Sequence, residues 1–139
     1  VVMLQKLQLL LFTALLTTTF VLCAGCEKNK ADMKTIADAD NGTTVSLAKG
    51  ESFRIRLKSQ MSTGFSWQVT KSPQIVSLQG KPEVEVEKRA EKIVGGVDHQ
   101  VFTFTAAKEG DGAIDLAYAR PWEKKAKPAR TFSVKISIK

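Results

Sequence analysis

The sequence predicts an all-β chain: an immunoglobulin-like antiparallel β-sandwich of seven to eight strands, with a small closed barrel as the alternative. Three observations carry this. After Gly42 the apolar residues recur at every second position, which is the spacing that places side chains on one face of a pleated strand. Turn residues interrupt the alternation at short intervals. No long segment after Gly42 carries a helical period.

Residues 44–47 form the first predicted strand, closed by the turn Ala48-Lys49-Gly50-Glu51. Phe53, Ile55 and Leu57 then alternate with Arg54, Arg56 and Lys58, which makes a half-buried strand. Phe65, Trp67 and Val69 alternate with Ser66, Gln68 and Thr70 until Ser72-Pro73 stops them. Residues 75–78 and 84–87 are shorter strands on either side of Gly80-Lys81-Pro82. Phe102, Phe104 and Ala106 mark the next inward face, and Glu109-Gly110-Asp111-Gly112 is a strong turn signal. Ile114, Leu116 and Tyr118 line the following strand. Phe132, Val134, Ile136 and Ile138 line the last. There is no internal repeat and no low-complexity segment.

The residues before this domain read differently. Lys6 supplies a short positive n-region, and residues 7–22 are an uncharged run rich in Leu, Thr and Phe. That run is shorter than the roughly 20 apolar residues of a spanning helix, and small residues follow it. Leu22-Cys23-Ala24-Gly25-Cys26 resembles a bacterial lipobox, with Cys23 where Leu or Val is usual. The resemblance implies that residues 1–25 are a lipoprotein signal peptide and that the Cys26 thiol carries a lipid. It places the protein outside the cytoplasm, lipid-anchored to the bacterial cell envelope on its periplasmic or outer surface. An ordinary secretory signal with an incidental Cys26 is the alternative. Residues 26–42 are polar, with little apolar periodicity, and read as a tether in which a short helix over residues 31–37 is open. The domain then covers residues 43–139.

Chemistry is sparse. If Cys23 leaves with the signal and Cys26 is acylated, no thiol remains for a disulfide or a nucleophile. His99 is the one histidine. Asp98 beside it points to the opposite face of a strand, so a Ser-His-Asp site is a weak reading and a strand-end histidine the stronger one. One His without free Cys excludes an ordinary zinc site, no carboxylates are paired, and no glycine-rich loop opens a helix. The expectation is no enzyme, no metal and no cofactor. The formal net charge of +7 comes from 21 Lys and Arg against 14 Asp and Glu. The cations are dispersed except for Lys124, Lys125 and Lys127. Export argues against nucleic acid, so the charge is read as solvated faces, with steering of an acidic partner as a second use.

Three connections stand out. Gln60-Met61-Ser62-Thr63-Gly64-Phe65 sets small hydroxyls beside a glycine, whose missing Cβ lets a partner approach the backbone. Lys92-Ile93-Val94-Gly95-Gly96-Val97 reads as a bend with exposed backbone. In Tyr118-Ala119-Arg120-Pro121-Trp122-Glu123, Pro121 restricts its own φ and pushes Arg120 toward extended geometry. Trp122 is either tucked onto the sandwich or presented to a partner, and the residues alone leave both open.

The ordered set Ser62-Thr63-Gly64-Phe65, Gly95-Gly96 and Arg120-Pro121-Trp122 resembles the chagasin-type inhibitors of papain-like cysteine proteases. Gln60-Met61 stands where that family commonly has Asn-Pro. The resemblance implies an immunoglobulin-like sandwich with the three loops at one end, acting as a reversible, competitive inhibitor. Thr63 and Gly64 would enter the cleft near the catalytic Cys of the target, Gly95 and Gly96 would follow its non-primed side, and Trp122 would pack on the primed side with Arg120 shaping the loop. A monomer is sufficient for this. A second reading is a non-inhibitory lipoprotein module of the same fold that binds a cell-envelope partner.

Overall fold

The computed structural model describes residues 33–86 and 96–139. The proposed signal peptide, the lipidation site at Cys26, residues 26–32 of the proposed tether, and Gly95 of the second loop lie outside the described residues. The strands are β1 (Lys34–Ala37), β2 (Thr44–Leu47), β3 (Ser52–Ser59), β4 (Ser66–Lys71), β5 (Val76–Leu78), β6 (Glu83–Val86), β7 (Asp98–Ala106), β8 (Gly110–Ala119) and β9 (Arg130–Ile138). They form two sheets. One has the order β1-β3-β7-β5, with β6 also paired to β7; the other has the order β2-β9-β8-β4. The sheets share no strand, so the architecture is a sandwich rather than a closed barrel.

The predicted alternation builds the core. Phe53, Ile55 and Leu57 of β3, Phe102 and Phe104 of β7, and Val134, Ile136 and Ile138 of β9 are all at most 3% exposed. In register Phe53 faces Phe104 and Ile55 faces Phe102, and the first pair stacks at 5.5 Å between ring centroids. Each side chain buried to this degree contributes roughly 1.5–3 kcal/mol relative to exposure.

The interior pairings β3–β7, β4–β8 and β8–β9 are antiparallel, as predicted. The two amino-terminal edge strands are not: β1 runs parallel to β3, and β2 runs parallel to β9. The chain climbs along one sheet, crosses at residues 38–42 and descends along the other. Each arm therefore lands on a strand that already runs in its own direction.

The predicted tether needs correction here. Residues 34–37 are not helical and do not merely lead to the domain. They form β1, and Ile36 is 1% exposed in the common core. A 3₁₀ turn, Asp38–Asp40, follows. Its Asp40 carboxylate accepts the Ala37 N–H at 2.8 Å, and Asn41 Oδ1 accepts the Ser133 N–H of the opposite sheet at 3.0 Å. The ordered sandwich thus includes residues that sequence periodicity left outside it.

The turn assigned to residues 109–112 also shifts. Gly110 and Gly112 belong to β8, paired with Ile138 and Ile136. Gly112 is there for space: a Cβ on it would lie 2.5 Å from Pro73 Cβ. Only a residue without a side chain lets the segment before β5 pack this closely on β8.

Strand direction now places the loops. β3, β6 and β8 end at one pole, and β4, β7 and β9 begin there. The registers Ser59–Asp98, Val86–Asp98 and Ser66–Ala119 fix this arrangement. The connections 60–65, 87–97 and 120–129 therefore all leave from the same pole. β1 runs toward that pole, so Lys34 sits near the other one, level with Phe53.

Candidate functional site: a composite surface at the loop pole

The first loop is a single closed turn. Met61–Thr63 form a 3₁₀ turn that ends at Gly64, whose φ of 80° and ψ of −3° are left-handed. The Thr63 N–H and hydroxyl both donate to the Gln60 carbonyl, at 3.1 and 2.6 Å, and the Gly64 N–H donates to the Met61 carbonyl at 3.0 Å. Small hydroxyl residues favour such local bonding, and glycine takes the left-handed position without a Cβ penalty. Ser62 and Thr63 are exposed, and Met61 is 40% exposed. The loop is held from below by Tyr118, whose hydroxyl accepts the Gln60 N–H at 2.9 Å. A bond of this kind contributes roughly 0.5–1.5 kcal/mol net.

The third loop is a pair of turns. The Glu123 N–H donates to the Arg120 carbonyl at 3.0 Å, which makes Arg120-Pro121-Trp122-Glu123 a β-turn with proline at its second position. The Ala126 N–H closes the next turn on Glu123, and the Ala129 N–H returns to Tyr118 at 2.9 Å. Trp122 is 67% exposed, yet its indole lies across the first loop. A Cβ on Gly64 would sit 2.6 Å from Trp122 Cη2. Arg120 makes the second bridge between the loops. Its guanidinium stands 4.6 Å from the Phe65 ring centroid and reaches Glu123 Oε1 at 3.2 Å. The ordered motifs of the first and third loops are therefore one surface: Thr63, Gly64 and Phe65 on one side, Arg120, Pro121 and Trp122 on the other.

Between these loops and the core lies an aromatic platform. Tyr118 stacks with Phe65 at 5.4 Å and packs at a tilt against Trp67 at 5.1 Å. Arg130 covers the platform, with its guanidinium 5.2 Å from the Trp67 ring and 5.6 Å from the Tyr118 ring. Such stacking adds cation–π attraction to apolar burial. Arg130 in turn donates to Asp38 Oδ1 at 2.9 Å. Asp38 Oδ2 accepts the Lys58 N–H at 3.0 Å, and Trp67 Nε1 donates to the Lys58 carbonyl at 2.9 Å. The β1 ladder ends at Ala37, level with Arg56, so the backbone groups of Lys58 take these side-chain partners in place of a strand.

Gln100 ties the sheets together at the same level. It is 6% exposed. Its Oε1 accepts the Trp67 N–H at 2.8 Å, and its Nε2 donates to the Trp67 carbonyl at 3.0 Å. The amide thus satisfies the outer edge of β4, where no further strand pairs. Asp38, Gln100 and Arg130 were not singled out from the sequence. Gln100 was readable, because it continues inward the alternation of Phe102 and Phe104. The pairing of Asp38 with Arg130 spans 92 residues and leaves no local signal.

Of the second loop, Gly96 is described. Its φ lies outside the left-handed region, and a Cβ on it would meet nothing within 4 Å. Its local geometry therefore places no demand for glycine. His99 is the second residue of β7 and is 4% exposed, with Lys58 and Glu85 as register neighbours. Among the described residues no group of three His, Cys, Asp or Glu is placed to hold a metal ion.

A family model for the chagasin family of peptidase inhibitors, I42, matches residues 46–136. The chain belongs to the chagasin family. Amoebiasin-1 of Entamoeba histolytica is 32% identical over 103 residues, covering 74% of this chain and 97% of that protein. Chagasin of Trypanosoma cruzi is 29% identical over 101 residues, covering 71% and 92%. The crystal structure of the cysteine protease inhibitor EhICP2 from Entamoeba histolytica superposes with a TM-score of 0.69 at 23% identity, covering 77% of this chain and 96% of that one. The chagasin family is one of inhibitors, not of enzymes. The family match runs from β2 to Ile136, the penultimate inward-facing residue of β9, so all three loops fall within it.

Proposed function

We propose that the chain is a reversible, competitive inhibitor of papain-like cysteine proteases that closes the active-site cleft with the loop pole. The observation that carries this is the contact of Trp122 with Gly64. It fuses the first and third loops into one exposed, preformed surface at the end of a rigid sandwich. Preorganisation of this kind lowers the ordering cost of association. The narrow first loop, with its paired Thr63 bonds, is the part shaped to enter a cleft. Phe65, Arg120 and Trp122 form a broader shoulder that rests on the cleft wall. β6 ends and β7 begins at the same pole, and the connection between them, with Gly95 and Gly96, would supply the second flanking contact. A single domain presents all three, so a monomer suffices.

The test is a titration of papain and a cathepsin-L-like enzyme with the domain beginning at Glu27. Stoichiometric inhibition that substrate competes away is expected. Thr63→Arg puts a long cation on the entering turn; it removes the hydroxyl bond to the Gln60 carbonyl but keeps the N–H bond, and residue 63 is exposed, so the sandwich should stay folded. This variant is expected to lose inhibition by at least about a hundredfold, corresponding to roughly 3 kcal/mol. Full inhibition by Thr63→Arg would exclude entry of this loop into the cleft.

We also propose that the protein is exported and lipid-anchored through Cys26. The direction of β1 supports a useful consequence of such an anchor. Lys34 lies near the pole opposite the loops, and the eight residues from Cys26 reach at most about 29 Å. A lipid there would hold the molecule by its far pole and turn the loops away from the membrane. Cys26→Ser is expected to move the protein from the membrane fraction to the soluble exported fraction. Unchanged membrane association in that variant would remove the lipid anchor.

A further inference from the structure

The third loop carries a charge imbalance that the contacts of Trp122 and Arg120 do not use. From Arg120 to Arg130 there are five cations, Arg120, Lys124, Lys125, Lys127 and Arg130, and one carboxylate, Glu123. Glu123 is already engaged by Arg120 at 3.2 Å, and Arg130 is engaged by Asp38 at 2.9 Å. That leaves Lys124, Lys125 and Lys127, all exposed, with no ion pair among the described residues. The neighbouring first loop, residues 60–65, has no charge with which to offset them. The opposite pole is different: Glu51, Glu109 and Asp111 stand there among Lys49, Lys108 and Lys139, so both signs are mixed.

The position of the three lysines matters as much as their sign. They follow directly on the Arg120–Glu123 turn that presents Trp122, and the second turn, from Glu123 to Ala126, holds Lys124 and Lys125 beside it. Whatever surface receives Trp122 therefore meets these ammonium groups at the rim of the contact. Three like charges gathered there and left uncompensated disfavour one another in the unbound protein. A partner that sets carboxylates opposite them relieves this repulsion and gains attraction. A partner with a basic rim adds to it.

Resting on the inhibitor function proposed above, we propose that Lys124, Lys125 and Lys127 form a steering and selectivity surface. The partner they select is a cysteine protease with a cluster of carboxylates on the cleft wall that receives Trp122. At the rim of an interface such charges act mainly on the rate of encounter and on the choice of partner. They act over about 10 Å at 0.1 M salt, the screening length of the solution. Trp122 and the first loop set how long the complex lasts, whereas the lysines set how fast it forms and with which enzyme.

The experiment measures association and dissociation rates by stopped flow. It uses a cathepsin-L-like enzyme with carboxylates on that wall, and the same enzyme with them changed to amides. The wild-type protein is compared with Lys124→Glu/Lys125→Glu/Lys127→Glu at about 20 and about 200 mM salt, a range over which the screening length shrinks severalfold. With the acidic enzyme, wild-type association is expected to slow by about tenfold across this range. The reversed variant should associate at least about tenfold more slowly at low salt and lose the slowing by salt, with a dissociation rate within about twofold of wild type. The amide enzyme should abolish the difference between the two inhibitors. Residues 121–130 are exposed, and an unchanged Tm will show that the variant is folded.

Equal association rates for the two proteins, or a wild-type rate indifferent to salt, would overturn the steering surface while leaving the inhibitor function intact. Wild-type protein that inhibits neither enzyme would overturn both. Lysine-dependent binding to phosphatidylglycerol vesicles, with salt-independent association with the protease, would assign the lysines to a lipid surface and overturn the proposal.

Discussion

Truncation of Trp122 to alanine is expected to weaken inhibition of a papain-like cysteine protease by about thirtyfold or more. An aromatic anchor at the centre of an interface is worth about 2 kcal/mol or more when removed, and each 1.4 kcal/mol is a factor of ten. Trp122 has the attributes of such an anchor before any partner arrives. It is 67% exposed, it is placed by a proline turn, and one edge of its indole is braced on Gly64. Because so much of the side chain faces solvent, its loss should change the stability of the fold little, within about 0.5 kcal/mol, as for surface substitutions in general. The loss of affinity should appear in dissociation rather than association, which separates Trp122 from the lysines that follow it. Inhibition constants for wild type and Trp122→Ala, with both rates resolved, check this. An unchanged constant would take Trp122 out of the mechanism.

Gly64→Ala is expected to weaken inhibition by about tenfold or more, through two effects that can be separated. The first is conformational: a φ of 80° costs an L-residue with a Cβ roughly 1–2 kcal/mol. The second is steric: the new methyl would occupy space 2.6 Å from Trp122 Cη2, so the indole must leave the first loop or the turn must open. A double-mutant cycle distinguishes them. In the Trp122→Ala background the clash is gone and only the strain remains, so the combined loss should fall well short of the sum of the single losses. Strict additivity would mean that the two loops act independently and that their contact does not organise the surface. Thermal unfolding of Gly64→Ala in the Trp122→Ala background, against Trp122→Ala alone, reports the strain by itself.

Both predictions concern a contact that no local reading of the chain reveals. The motif Ser62-Thr63-Gly64-Phe65 and the motif Arg120-Pro121-Trp122 were each visible, and a glycine beside small hydroxyls already implied a tight turn. That Gly64 also seats an indole depends on where β8 delivers Trp122, which the register of Ser66 with Ala119 decides. Between a tucked and a presented Trp122 the sequence alone left the choice open. The structure combines them, with one edge braced and the greater part exposed.

The same division runs through the fold. Alternation was sufficient for β3, β7 and β9, because each buries a full face and repeats its signal over eight or nine residues. It failed for β1, where Lys34, Thr35, Ile36 and Ala37 offer one large apolar side chain in four residues. Such a segment becomes a strand because β3 is there to pair with it, not through its own pattern. Gly110 and Gly112 misled for the opposite reason. Their local chemistry signals a turn, but Gly112 answers a spatial demand from Pro73. Gln100 and the Asp38–Arg130 pair satisfy backbone and charge across the two sheets, and partners of that kind are chosen by position in space.

By itself the sequence determined the β class, most of the strands, the inward faces of the core, the glycine and proline of the first and third loops, and the cationic run beyond Trp122. These properties follow from side-chain period and local backbone preference, both of which act over a few residues. Only the tertiary structure decided that β1 belongs to the sandwich, that Asp38, Arg130 and Tyr118 brace the loop pole, and that Trp122 rests on Gly64. Those contacts join residues far apart in the chain, and they exist because strand direction and register bring three loop connections to one end of two packed sheets.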